Sequence, residues 1–271
     1  MADPCIVVTG GAGFIGSHVC EALVARGAEV RVFDNFSSGR RANLASLSSG
    51  VQIIEGDVRD ATAVETALRG ATHVVHLAAM VSVPESIECP MESHAINATG
   101  TLHVLLAARA QRVRRVVLAS TAAVYGRNAE LPAREEALPA PESPYAADKL
   151  AAENYMRVFA QLYKVETVSL RFFNVYGPRQ PPQSPYSGVI SRFVDAVRHG
   201  WRPTVYGDGR QTRDFVFVSD VVAAVDAALF HPQTGAGERY NVGTGRPTSL
   251  LELLDILADL CHTSVEPIFA P

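Results

Sequence analysis

Little in this sequence could staple it, charge it or anchor it. Four cysteines, Cys5, Cys20, Cys89 and Cys261, form no CxxC pair and no His/Cys cluster with metal-ligand spacing, and the eight histidines include no HExxH pair. That excludes a disulfide framework or zinc knuckle, and no metal is expected. His18, His76 and His94 read as capping or structural residues. Charged residues are 19% of the chain, the net charge is -4, and the 24 Lys plus Arg are spread rather than clustered, so nucleic acid is not the expected partner. No apolar run approaches about 18 residues, and MADPC leads into a strand without a signal-like region. The expectation is a cytoplasmic protein with reduced thiols and no membrane partner. What the chain does have is 271 residues, 48% of them hydrophobic, enough to bury the core of a large α/β domain or of a nucleotide-binding domain with a smaller lobe.

Short β-branched runs alternate with helical patterns. CIVVTG, EVRVFD, VQIIEGD, HVVHLAA and RVVLAS read as strands, with helices over 17–26, 61–69 and 94–111 among them. The strands lack clean alternation, as strands do when helices cover both faces of a parallel sheet. A helix after Pro144 leads to VETVSLRFF; then comes a loop rich in Pro, Gly and Tyr, and a helix near Val189 to His199. DFVFVSDVVAAVDAALF reads as a strand and a helix, and YNVGTG precedes a helix over 248–260. The fold class expected is α/β, a Rossmann-type doubly wound parallel sheet with a smaller interleaved substrate lobe. Residues 1–173, with 212–231 returning to them, form the dinucleotide-binding domain; 174–211 and 232–271 form the lobe.

TGGAGFIGSH follows the first strand and opens the first helix, so Gly11, Gly13 and Gly16 meet the GxGxxG pattern, with Gly10 in addition. Glycines there allow a tight turn and let backbone approach a pyrophosphate resting on the positive helix N-terminus. Eighteen residues after Gly16, Asp34 ends the second strand, where an acid binds ribose hydroxyls and repels a 2′-phosphate. NAD is favoured over NADP, although Arg40 and Arg41 leave the second open. Asp57, ending the third strand, could accept from an adenine amino group or simply cap a helix.

PESPYAADKLAAENY places Tyr145 and Lys149 at i and i+4 on one helix face. An ammonium beside a phenol favours the phenolate; moving a tyrosine from about 10 to about 7 takes roughly 4 kcal/mol, which a lysine and a cationic nicotinamide could supply together. Tyr145 is thus a candidate general base.

In these motifs, and in FDN, GDVRD, HLAA, INATGT, STAAVYG, RFFNVYGPRQ and TRDFVFVSD, the chain resembles the extended short-chain dehydrogenase/reductase family, and within it the nucleotide-sugar 4-epimerases of the UDP-galactose type. The motifs run through nearly the whole chain in order. The resemblance implies that Thr121 hydrogen-bonds the sugar O4, that Tyr145 removes the proton, and that Lys149 tunes Tyr145 and binds the nicotinamide ribose. It implies an NAD site of Gly10, Gly13, Phe14, Ile15, Gly16, Asp34, Asn35, Ser38, Asp57, Val58, Leu77, Ala78, Ala79, Asn97, Tyr145, Lys149 and Phe172. Asn174 and Arg213 would hold the UDP pyrophosphate, Val189, Thr204 and Tyr206 would surround the uridine, and Ser82 would face the substrate. A homodimer through the helices around 94–111 and 145–160 is a further implication. A guanidinium at Arg213 suits bidentate phosphate contact.

STAAVYG separates the chemistries within that family. A 4-epimerase oxidises C4, lets the keto sugar turn, and reduces the other face, with no second acid. Related 4,6-dehydratases carry an Asp and a Glu directly after the catalytic Thr, and the decarboxylating relatives usually a Glu. Here these positions are Ala122 and Ala123, which neither donate nor accept a proton. Epimerisation is the expected reaction; a dehydratase or decarboxylase of the same family, or a dinucleotide binder without turnover, are the alternatives. Ser82 to Pro84 and the YGPRQPPQSPYSGVI loop are similar to epimerases of N-acetylated sugars, so UDP-glucose/UDP-galactose and UDP-GlcNAc/UDP-GalNAc both stand. The resemblance also implies some tens of residues after the last helix, with a second phosphate-binding Arg, where this sequence ends VEPIFAP; a truncated C-terminus is the expectation there.

Overall fold

The structure, a computed structural model, describes residues 4–47, 50–127, 130–181 and 188–270. In chain order its strands and helices are β1 (Cys5–Thr9), α1 (Phe14–Ala25), β2 (Glu29–Asp34), β3 (Val51–Glu55), α2 (Ala61–Ala67), β4 (His73–His76), α3 (Val83–Glu88), α4 (Pro90–His94), α5 (Gly100–Ala110), β5 (Arg115–Thr121), α6 (Pro144–Tyr163) and β6 (Glu166–Phe172). There follow β7 (Asn174–Tyr176), α7 (Val189–Arg198), β8 (Thr204–Tyr206), β9 (Thr212–Phe217), α8 (Val218–Phe230), β10 (Ala236–Val242), β11 (Pro247–Ser249), α9 (Leu250–Cys261) and β12 (Ile268–Ala270). The chain forms two compact units, Met1–Phe172 with Ser219–Val242, and Phe173–Val218 with Gly243–Pro271.

In the first unit the described residues build a seven-stranded sheet in the order β10-β6-β5-β4-β1-β2-β3, every pairing parallel. Strand order reverses between β1 and β4, the switch point where doubly wound sheets bind ligands beyond their strand ends. The central strands are buried on both faces: all five β1 residues are buried, as are all four of β4. Val7, Val74, Val104, Leu105, Val116, Met156 and Phe159 belong to one core cluster between strands and helices. This is the expected Rossmann-type sheet.

Two sequence expectations need adjustment. Ala236–Val242 pairs with β6 at the sheet's edge rather than lying in the lobe, while Thr212–Phe217 pairs with β7 and β11 rather than returning to the first unit. Both runs are too short for their periodicity to say which neighbour they hydrogen-bond. The helix expected over 94–111 is interrupted: α4 is followed by a π-helical turn over Ala95–Thr99 before α5 begins. At its centre Asn97 is fully buried, accepting from the Met80 N–H and donating to the Met80 carbonyl, both at 3.0 Å. That clamp takes the side chain inward, and such π turns concentrate at functional sites.

The second unit holds two small sheets, β11-β9-β7 and β12-β8. Its core gathers Phe193 and Val205 with Leu250, Leu253, Leu254 and Leu257 of α9. Residues 182–187, within the loop that resembles N-acetylated-sugar epimerases, lie outside the described residues.

Candidate active site

The glycine turn has the shape a dinucleotide needs. Gly10 has φ +69°, and a Cβ there would lie 2.7 Å from the Ala78 nitrogen; at Gly16 it would lie 2.2 Å from the Gly10 carbonyl. The first position needs the left-handed region open to glycine, and the second lets α1 approach the turn closely. Gly13 caps α1 without any side-chain hydrogen bond, and the first turn holds no acid, so its amides and dipole are suited to an anion. Phe14 and Ile15 are half-buried beside it, as are Leu77, Ala78 and Ala79 after β4.

Asp34 is buried at the end of β2, where its oxygens accept from the Ala12 N–H at 2.9 Å and the Phe36 N–H at 2.8 Å. Arg41 is drawn aside, bonded to Glu55 at 2.5 Å with its guanidinium 4.2 Å from the Phe36 ring centre. Asp57 is no helix cap, since Asp60 caps α2. It accepts from Asn35 Nδ2 at 2.8 Å and from Arg59 Nε and the far guanidinium nitrogen at 2.9 and 2.8 Å. The Arg59 bonds hold its carboxyl well below the usual carboxylate range. Arg59 was not singled out in the sequence; two residues from an acid at a strand end is its only signal. Ser38, on the loop after β2, is exposed. Val58 is buried, and Phe172 ends β6 in a buried position.

Thr121, Tyr145 and Lys149 come together where β5 meets α6. Ser143 caps α6 by accepting from the Ala146 N–H, and Pro144 fits its first turn, so the sequence sets where this helix begins. Thr121 Oγ1 accepts from the Ala123 N–H at 3.1 Å, and the Thr121 hydroxyl lies beside the Tyr145 phenol and opposes the rise that burial gives it. Lys149 is buried, and its Nζ donates to the Ala119 carbonyl at 2.9 Å. Burial raises the Tyr145 phenol, with the Thr121 hydroxyl acting the other way. Burial also lowers Lys149 to about 8, with Asp148 and Glu153 pulling the other way. The lysine ammonium bonds the end of the strand that carries Thr121.

Ser82 is buried and caps α3, accepting from the Glu85 N–H at 3.0 Å. In the second unit Val189, Thr204 and Tyr206 line one groove of about 440 Å³, joined by Arg192, Trp201 and Gln211, none of which the sequence singled out. Asn174 and Arg213 do not line it. They lie exposed on the paired strands β7 and β9. Among the described residues no group of three His, Cys, Asp or Glu is placed to hold a metal, and no helix is long and apolar enough to cross a membrane.

A family model described as NAD dependent epimerase/dehydratase matches residues 6–243. The UDP-glucose 4-epimerase of Mycolicibacterium smegmatis is 39% identical over 269 residues, spanning 98% of this chain and 85% of that protein. A UDP-N-acetyl-alpha-D-glucosaminuronate decarboxylase of Bacillus cytotoxicus is 35% identical over 270 residues, spanning 98% and 83%. Among solved structures, a UDP-N-acetylglucosamine 4-epimerase from Methanobrevibacter ruminantium M1, in complex with UDP-N-acetylmuramic acid, superposes with a TM-score of 0.94 at 36% identity, covering 100% of this chain and 86% of that one. The Thermus thermophilus UDP-glucose 4-epimerase in complex with NAD gives 0.89 at 42% identity, covering 98% and 86%.

Proposed function

The chain belongs to the NAD dependent epimerase/dehydratase family, and from that membership we propose that it inverts C4 of a UDP-hexose through a transient 4-keto sugar. The observation that carries this reading is the Thr121, Tyr145 and Lys149 group followed by Ala122 and Ala123. The glycine turn, the uncapped start of α1 and Asp34 fit NAD. When bound, NAD accepts the C4 hydrogen as hydride and returns it. Thr121 holds O4 by its hydroxyl, Tyr145 takes the O4 proton on oxidation and gives it back on reduction, and Lys149 keeps the end of β5 in place while contributing positive charge. Burial raises the Tyr145 phenol, and a cationic cofactor ring bound beside it would oppose that rise. Asn174, Val189, Thr204, Tyr206 and Arg213 are assigned to the UDP moiety and Ser82 to the sugar side. The assembly proposed is a homodimer.

Loss of water or of carbon dioxide from the keto sugar would need another proton donor or acceptor, and two alanines offer none. Incubation with UDP-galactose, UDP-GalNAc, UDP-glucuronate and dTDP-glucose, with products separated by chromatography and weighed, tests this. An isomer of unchanged mass is expected from one of the first two, and which of them reacts names the sugar. A product lighter by water or by carbon dioxide makes the chain a dehydratase or decarboxylase, and no product makes it a binder. Tyr145→Phe should abolish turnover with the melting temperature unchanged; wild-type rates in that variant would sink the assignment.

A further inference from the structure

Three successive residues at the end of β5 are each held by one face of α6. Tyr145 stands beside the Thr121 hydroxyl, Lys149 Nζ donates to the Ala119 carbonyl at 2.9 Å, and Glu153 Oε1 accepts from Ser120 Oγ at 2.5 Å. Tyr145, Lys149 and Glu153 are spaced at i, i+4 and i+8, so the helix repeat itself lays them along that strand end.

The third contact has no place in the chemistry described so far, yet much is spent on it. The Glu153 and Arg171 side chains are 3% and 0% exposed. A carboxylate so enclosed needs an opposite charge, and Arg171 supplies it with two bonds, Nε to Oε1 at 2.9 Å and the far nitrogen to Oε2 at 2.7 Å. The pair also steadies the other end of STAAVYG. The Arg171 guanidinium carbon lies 4.7 Å from the Tyr125 ring centre, and Tyr125 donates to Asn241 Oδ1 at 2.6 Å. Ser120 and Tyr125, flanking Thr121 and the two alanines, are therefore both held against one buried ion pair.

We propose that Ser120 and Glu153 are positioning residues of the reaction: the Ser120 hydroxyl locks the end of β5 onto the Glu153–Arg171 pair and so sets the orientation of Thr121 toward Tyr145. This rests on the epimerase reading above. Neither side chain touches the reacting atoms. Their effect is on alignment, where a displacement of about 1 Å is enough to cost up to a hundredfold in rate.

The test separates alignment from stability. Ser120→Ala removes one hydroxyl and leaves the ion pair intact. Its kcat should fall about tenfold or more, with KM for the UDP-sugar and NAD affinity within twofold of wild type and the melting temperature nearly unchanged. Glu153→Gln keeps an oxygen to accept from Ser120 but leaves Arg171 without its charge partner. It should melt well below wild type and, at a temperature where it is folded, show a fall in kcat with KM and NAD affinity kept, because the anchor that holds Ser120 has lost its counter-charge. A Ser120→Ala enzyme with wild-type kcat overturns the inference, as does one whose loss lies in KM or NAD binding. A folded Glu153→Gln enzyme with wild-type kcat also overturns it; if that variant does not fold, Ser120→Ala decides alone. Wild-type protein that turns over no UDP-sugar removes the epimerase reading and this inference with it.

Discussion

Thr121 serves two neighbours. Its oxygen accepts from the Ala123 N–H, which shapes the turn after β5, and its hydroxyl lies beside the Tyr145 phenol. Thr121→Val keeps shape and β-branching and removes both contacts. If Thr121 holds O4, kcat should fall by about a hundredfold or more with NAD affinity unchanged, as read by steady-state kinetics and NAD titration. At the cofactor, Asp34 is the residue proposed to decide between NAD and NADP. Its carboxylate would face a 2′-phosphate, and Arg41, the obvious counter-charge, is occupied by Glu55 and Phe36. Saturating NAD should raise the melting temperature by several degrees and NADP by clearly less, in a thermal-shift comparison at equal concentration. The glycines and Asp34 could be read from the sequence because the demands they answer are local, a turn and a helix start within about ten residues. The task of Asn97 could not. Nothing adjacent in the chain says that it clamps the backbone of Met80, whereas Ser82 and Glu85 carry the Ser-x-x-Glu spacing of a helix start.

At the scale of elements, β4 is tied to its neighbours by a buried histidine. Thr101 donates to the Asn97 carbonyl at 2.6 Å, so its oxygen takes a proton from His76 Nε2 at 3.0 Å, leaving His76 Nδ1 to accept from Thr9 at 2.7 Å. Thr9 in turn accepts from the Ala78 N–H at 3.2 Å. A neutral imidazole thus links β1, β4 and α5 beneath the turn that carries Ala78. Burial lowers His76 to about 3, with Lys149 acting in the same sense. Unfolded, the group titrates near 6.5, so between about 3 and 6.5 the unfolded chain binds the extra proton. Stability should therefore fall as pH drops below about 6.5. His73, lowered to about 4 chiefly by burial, contributes with the same sign over the upper part of that window. In urea denaturation between pH 7 and 5, His76→Gln should flatten the pH slope by up to one proton, about 1.4 kcal/mol per pH unit. An unchanged slope would mean that His76 takes up its proton in the folded state as well. Helical periodicity marked α5 and α6 in the sequence, but the π turn before α5 was invisible, because it answers to Met80, seventeen residues earlier in the chain.

Across the molecule, distant segments of the first unit are joined by buried arginines. Arg115, 2% exposed, donates to the carbonyls of Ala228, Leu229 and His231 at 2.9 Å and to the Thr234 carbonyl at 2.7 Å, and pairs with Glu166. It satisfies the last carbonyls of α8, which no helical N–H can reach. Arg115→Met should leave the Leu229 and Thr234 carbonyls without this donor, the Thr234 hydroxyl still reaching Ala228 and His231, and destabilise the protein by about 3 kcal/mol in urea denaturation. A loss below about 1 kcal/mol would mean that water replaces the guanidinium at no cost.

The sequence by itself determined the class of sheet, the place of the dinucleotide turn, the start of α6 and the spacing of Tyr145 and Lys149, because each depends on residues only a few positions apart. Only the tertiary structure decided that Ala236–Val242 closes the sheet beside β6, that the Lys149 ammonium donates to the Ala119 carbonyl, and that Ser120 donates its hydroxyl to Glu153. Those outcomes join residues thirty or more positions apart. They are set by which buried charge finds which partner, a competition that the order of residues along the chain does not display.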